Sequence, residues 1–166
     1  METSRTVLSK PTAMDYDEVF ALQSNQQTRQ YLGGPVTKEE FPEKFKDILD
    51  AKVPESYWVV RQKETNAFIG FVSIAKYHDQ IHYEVSYELD PEFWGDGYGA
   101  EIIEKVISYG FKDLSLEEIY AETQKKNAAS IRLLEKVGMQ LKSEVERFGE
   151  QQVVYAVKTL SRARGI

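Results

Sequence analysis

Three glycines at alternate positions, Gly95, Gly97 and Gly99, sit in the run Pro91-Glu-Phe-Trp-Gly-Asp-Gly-Tyr-Gly-Ala-Glu-Ile-Ile103, which passes straight into an apolar pattern of helical spacing. Without a Cβ, successive backbone N–H groups can turn toward one point and a ligand can approach the chain closely. A helix that starts there adds its unpaired first-turn N–H groups and the positive end of its dipole. The product is an anion nest, suited to a phosphate or pyrophosphate. A glycine-rich surface turn ahead of an ordinary helix carries the same bare G-x-G-x-G, so the flanking residues decide between the two.

The elements around this run must hold it in place. A short strand is expected near Arg5–Ser9. Asp15-Tyr-Asp-Glu18 reads as a capping box opening a helix through about Asn25, and Thr37-Lys-Glu-Glu40 as a second box ahead of Phe41, Phe45, Ile48 and Leu49. Between them Gly33-Gly34-Pro35 breaks the chain. From Ser56 the period changes to that of strands, with Tyr57–Val60, Phe68–Ile74 and Ile81–Leu89 joined by short polar hairpin connections. In the third strand Tyr83, Val85, Tyr87 and Leu89 face one way and His82, Glu84, Ser86 and Glu88 the other. After the glycines come a helix over Tyr98–Asp113, a strand over Glu118–Thr123, and a helix over Asn127–Val137 with Asn127 as N-cap and Gly138 as its stop. Strands near Gln140–Arg147 and Val153–Thr159 close the chain. The class is α+β, an antiparallel meander feeding a β–α–β–α unit.

Composition narrows the chemistry. There is no cysteine, which removes disulfides, thiolate nucleophiles, iron–sulfur clusters and cysteine zinc sites together. His78 and His82 are the only histidines, so no metal is expected. The net charge of −6 argues against nucleic-acid partners and mildly favours cationic ones. No apolar run approaches the roughly 18 residues of a membrane span, and the opening Met1-Glu-Thr-Ser-Arg-Thr lacks the apolar stretch of a secretory leader. The expectation is a cytoplasmic protein, monomer or homodimer, with one domain over residues 1–166.

Gly95-x-Gly97-x-x-Ala100 formally matches the dinucleotide fingerprint. That fingerprint needs a buried parallel strand ending at its first glycine. Here Asp90-Pro91-Glu92-Phe93-Trp94 intervenes, and the strand before it alternates polar and apolar as an antiparallel strand does. A nicotinamide-dinucleotide protein is therefore the weaker alternative.

The stretch Leu89–Glu101 resembles motif A of the GNAT acetyltransferase superfamily, Q/R-x-x-G-x-G/A, with Trp94 at the Q/R position and Gly97 and Gly99 at the glycines. Tryptophan there, followed by Gly-x-Gly-Tyr-Gly/Ala-x-Glu, resembles the RimJ/RimL-like branch of ribosomal-protein N-terminal acetyltransferases. Asn127-Ala-Ala-Ser130-Ile-Arg-Leu-Leu-Glu-Lys-Val-Gly138-Met139 is similar to that branch's N-x-x-S-x-x-x-x-E-K-x-G-F. Glu84-Val-Ser-Tyr87 is similar to its E-x-G-Y, with Ser86 in place of the glycine.

The resemblance implies a GNAT-like fold: a mixed, mostly antiparallel sheet of six to seven strands, about four helices, and a splayed strand pair that holds acetyl-CoA as co-substrate. It implies that Leu89 offers backbone hydrogen bonds to the pantetheine arm, as an added strand would. The amides of Gly95, Asp96, Gly97, Tyr98, Gly99 and Ala100 would hold the pyrophosphate. Asn127 would reach the pantetheine, cap its helix, or both, and Trp94 would contact CoA or pack against the turn. Acetyl transfer to an amine needs a polarised thioester carbonyl, a base for the amine and a proton for the departing thiolate. Glu84 is the first candidate for the base. Glu88 could face the substrate, and His82, Glu144 and Glu146 stand behind Glu84. Many members of the family carry the proton donor as a tyrosine at the position of Leu134; in the RimL-like pattern Ser130 takes that role. The implied partner is a primary amine, on a small molecule or a protein N-terminus, with specificity set by Thr28–Pro54 and the closing hairpin. A CoA-binding sensor or scaffold without catalysis is the alternative.

Overall fold

The computed structural model describes residues 1–160. Along the chain run β1 (Thr6–Ser9), α1 (Tyr16–Gln23), α2 (Phe41–Asp50), β2 (Ser56–Gln62), β3 (Phe68–Lys76), β4 (Tyr83–Leu89), α3 (Tyr98–Lys112), β5 (Glu118–Gln124), α4 (Ala128–Lys136), β6 (Gln140–Arg147) and β7 (Glu150–Lys158). The strands form one sheet in the order β1-β2-β3-β4-β5-β7-β6, antiparallel throughout except for the β4–β5 pair. This is the GNAT fold expected from the sequence, with seven strands and four α-helices among the described residues.

Period-2 patterning puts an apolar layer on each side of the sheet. On one side Val72, Ile74, Val85 and Leu89 pack with Ile102, Ile103 and Val106 of α3 and Leu134 of α4. On the other, Val59 and Phe71 meet Val19 and Leu22 of α1 and Phe41, Phe45 and Ile48 of α2. Each such side chain contributes about 1.5–3 kcal/mol on burial, so both helix pairs are pinned by the strands between them. The polar face of β4, with Glu84, Ser86 and Glu88, consequently looks toward α1 and α2.

β4 and β5 pair only through Tyr83 with Ile119 and Glu84 with Tyr120. Beyond Glu84 the two strands part, and β4 runs free of its parallel neighbour to Leu89. Asp90 N donates to Ile69 O across β3, so by alternation the N–H and C=O of Leu89 point into the gap.

The first helix starts differently from the sequence expectation. Asp15 does not cap it; the reciprocal box lies one turn earlier, with Thr12 Oγ1 accepting from Met14 N and Asp15 Oδ2 from Thr12 N, over a short 3-10 turn at Ala13–Asp15. The cause is tertiary. Arg61 on β2 takes Asp15 Oδ1, at 3.0 Å, and Glu18 as ion-pair partners, while Asp15 Oδ2 is spent on Thr12 N, so neither carboxylate caps the first turn of α1. The second box forms as expected, with Glu40 N donating to Thr37 Oγ1 and Thr37 N to Glu40 Oε2.

Candidate functional site

The gap between β4 and β5 belongs to a cavity of about 1120 Å³. Its walls include Tyr87, Glu88 and Leu89 from β4, Ala121, Glu122 and Thr123 from β5, the glycine run, the first turns of α4, and the α1–α2 segment. The cavity therefore spans both faces of the sheet through the opening that the parted strands leave.

At one end lies the glycine run. Gly95 has φ +84° and Gly97 φ +81°, the left-handed region closed to most side chains. Gly97 is the N-cap of the 15-residue α3, which puts that helix's free first-turn amides and positive dipole end at the same place. At Gly99 the constraint is packing, since a Cβ would overlap Leu133 of α4. These features fit a pyrophosphate, and α4 adds Arg132 and Lys136 to the cavity wall.

The loop is held from behind by Arg5, whose only legible role in the sequence is the start of a short strand. Its guanidinium donates to Asp96 O at 2.9 Å, pairs with Glu101 Oε2 at 2.8 Å, and lies 4.1 Å from the centroid of the Tyr98 ring. Burial opposes ionisation of Glu101, but hydrogen bonds from Thr3, Arg5 and Ser4 outweigh it and draw its pKa down to about 2.

Of the residues expected to meet the cofactor, Leu89, Trp94, Gly95, Gly97, Tyr98, Gly99, Ala100 and Asn127 all line this cavity, while Asp96 does not and its side chain is exposed. The Trp94 indole N–H donates to Leu89 O at 2.9 Å, so part of the hydrogen-bonding capacity of that carbonyl is already used. The Trp94 ring is 46% exposed, which identifies it as cavity wall rather than core. Asn127 caps α4 by accepting from Ser130 N at 3.1 Å.

Two hydroxyls meet in the gap. Ser130, on the first turn of α4, lies 2.5 Å from the Tyr87 hydroxyl on β4. Burial pushes the Tyr87 phenol up to about 12, partly offset by its bond to Ser130, so it keeps its proton at neutral pH. Tyr87 was visible in the sequence as part of Glu84–Tyr87, but nothing in a strand pattern shows that it reaches a helix over forty residues later. Leu134, where many relatives place a tyrosine, is buried in the core.

The carboxylates divide. Glu84 does not line the cavity; Glu122 beside it does. Burial first, then the charge of Glu122, pushes Glu84 up to about 7 against the pull of Arg147. Glu122 itself is fixed by Tyr77 Oη at 2.6 Å and Arg147 Nε at 3.0 Å. Glu88 does line the cavity and pairs with Arg29 at 3.1 Å. The remaining candidates lie elsewhere. His82 is stacked on Tyr120 and bonded to Asp79, and Glu144 and Glu146 are on the exposed strand β6, Glu144 paired with Lys125.

Residues 5–140 match a family model described as an acetyltransferase (GNAT) domain. The uncharacterized N-acetyltransferase YoaA of Bacillus subtilis (strain 168) is 34% identical over 147 residues, which cover 84% of this chain and 82% of that protein. A GNAT-family acetyltransferase structure from Bacillus anthracis superposes with a TM-score of 0.83 at 24% identity, covering 95% of this chain and 97% of that one. The spermidine N-acetyltransferase of Vibrio cholerae, solved with CoA and spermine, gives 0.81 at 21% identity, covering 93% and 96%. At these identities the structural likeness is one of fold.

Proposed function

The chain belongs to the GNAT acetyltransferase family and is an acetyltransferase; from that premise we propose that it moves the acetyl group of acetyl-CoA onto a primary amine by direct attack, as a member of the RimJ/RimL-like branch. The observation that carries the proposal is the continuity of one cavity from the positive-φ glycines, past the inward-facing backbone of Leu89, to the paired hydroxyls of Tyr87 and Ser130. An extended ligand with a pyrophosphate at one end has a partner at each point along that path.

Bound acetyl-CoA supplies the thioester carbon that the amine attacks. The Leu89 N–H continues β4 toward the pantetheine arm, and the amides from Gly95 through Ala100 take the pyrophosphate. Glu84 accepts the proton that the amine gives up. It acts through a water in the space beside Glu122, because its carboxylate stands behind the cavity wall. A carboxylate titrating near 7 is well matched to that work at neutral pH. Ser130 donates a proton to the departing sulfur, and Tyr87, bonded to it and protonated, resupplies the serine.

The test is a panel of primary amines incubated with acetyl-CoA, followed by thiol release and by mass spectrometry of the products. The expected result is amine-dependent thiol release matched by one added acetyl group on the acceptor. Tight acetyl-CoA binding with no amine-dependent release would overturn catalysis and leave a binding protein.

A further inference from the structure

Three residues of the cavity wall each carry a buried side-chain oxygen without a hydrogen-bond partner: Gln23 Oε1, Thr28 Oγ1 and Glu88 Oε2. Burying a polar atom unpaired costs about 1–3 kcal/mol, more for a charge, and three in one wall is a concentration that calls for a ligand. Gln23 is 2% exposed and comes from α1, whereas Glu88 comes from β4, so the cluster is assembled across two elements.

The unused atoms have one chemistry. Gln23 Nε2 donates to Glu88 Oε1 at 3.0 Å, which orients the amide with its carbonyl oxygen free. Arg29 Nη1 holds the same Glu88 Oε1 at 3.1 Å, and its Nε and Nη2 are spent on Gly34 O and Leu32 O. The second carboxylate oxygen and the amide oxygen can only accept, and the threonine hydroxyl can accept as well. Glu40, Glu43 and Asp47 join Glu88 on this wall against Arg29 and Lys44, so the surroundings favour a cation.

We propose that Gln23, Thr28 and Glu88 form a subsite for a protonated nitrogen of the acceptor that is not the one acetylated, so that the preferred substrates are amines with two basic nitrogens. An ammonium supplies three donors in a compact group, the complement of unpaired acceptors of this kind. It cannot be the reacting nitrogen. An ionised carboxylate at hydrogen-bonding distance stabilises the protonated amine, and attack needs the neutral one. The subsite therefore positions one nitrogen by its charge while a second is carried toward the gap at Leu89.

The subsite presupposes the acetyl-transfer function above, yet its test need not involve turnover. Calorimetry on the CoA-loaded protein would compare 1,3-diaminopropane, 1,4-diaminobutane and 1,5-diaminopentane with propylamine, butylamine and pentylamine. At least one diamine is expected to bind about 10- to 100-fold more tightly than its monoamine, a margin that Glu88→Gln abolishes while CoA binding stays unchanged. Thr28→Val, which breaks no ion pair, should weaken the same diamine about threefold or more and so serves if Glu88→Gln fails to fold. Equal binding of every diamine and its monoamine, or a diamine preference that survives both substitutions, overturns the subsite. A protein that shows the diamine preference but acetylates nothing retains the subsite and loses the catalytic function.

Discussion

The hydroxyls of Tyr87 and Ser130, 2.5 Å apart, join the free end of β4 to the first turn of α4 across the gap between the parted strands. In the proposed mechanism this contact is the route by which a proton reaches the departing sulfur, and neither element carries it alone. Burial pushes the Tyr87 phenol up to about 12, so it keeps the proton that the proposed mechanism asks of it at neutral pH.

In the proposed mechanism the two hydroxyls act in series, so their removal should not be additive. Ser130→Ala is expected to lower kcat about tenfold and Tyr87→Phe by a similar amount, with the double variant no worse than the poorer single one. The check is steady-state kinetics with an acceptor confirmed by mass spectrometry. A double variant whose loss equals the product of the single losses would show two independent roles.

With Glu84 as the proposed base, its titration sets the expected pH profile. Its folded pKa near 7 leaves it protonated at lower pH, so kcat should rise with pH through about 7 and level off above it. Glu84→Gln should lower kcat about 10- to 1000-fold and erase that rise. The same shift makes a stability prediction of opposite sign. The folded value lies above the unfolded carboxylate value, so ionised Glu84 costs stability, in part from about pH 4.5 and in full above pH 7. At pH 8 Glu84→Gln should therefore melt about 5 °C higher than wild type in a thermal scan while remaining slow. A variant with unchanged kcat from pH 6 to 9 transfers the role of base to another group.

Gly97→Val tests the anion nest. The space beside Gly97 is open except for Arg5 at 3.5 Å, so the penalty comes from forcing a β-branched residue to φ +81°. The expected outcome is a folded protein whose CoA affinity falls more than about tenfold by calorimetry. Normal CoA binding by a folded Gly97→Val would move the phosphate site away from this loop.

Arg5 and Glu101 form the clamp behind the nest, and their removal should register in both binding and acid stability. Arg5→Ala should weaken CoA binding about 3- to 10-fold although Arg5 itself does not line the cavity. Glu101 is held down near 2, below its unfolded value, so its contribution is present above about pH 4.5 and is lost as pH falls toward 2. Glu101→Gln should accordingly lower the melting temperature at pH 7 and have little effect near pH 2. A uniform loss at both pH values would mean that the carboxylate charge is not what stabilises the loop.

Local regularities were legible without coordinates. Alternation in Tyr83–Leu89, helical spacing from Ile102 to Phe111, the Asn127 cap and the glycine run each depend on residues within a turn or two of one another, where side-chain direction follows from backbone period alone. The GNAT fold and the cavity residues from Leu89 to Ala100 followed from those patterns together with the motif resemblance. The first capping box was misplaced because its carboxylates answer to Arg61, which lies far along the chain.

The order of the elements and the glycine turn ahead of α3 are written in short-range spacing and can be read from the chain alone. Which side chains share the cavity depends on how the sheet closes. That closure set Glu84 behind the wall and Glu122 in it, brought Tyr87 to Ser130 and Arg5 to Asp96, and left one oxygen of Glu88 free while spending the other on Arg29 and Gln23. The physical reason is that hydrogen bonds and ion pairs act over about 3 Å in space between groups tens of residues apart in the chain, and no local pattern encodes which of them the closing sheet will bring together.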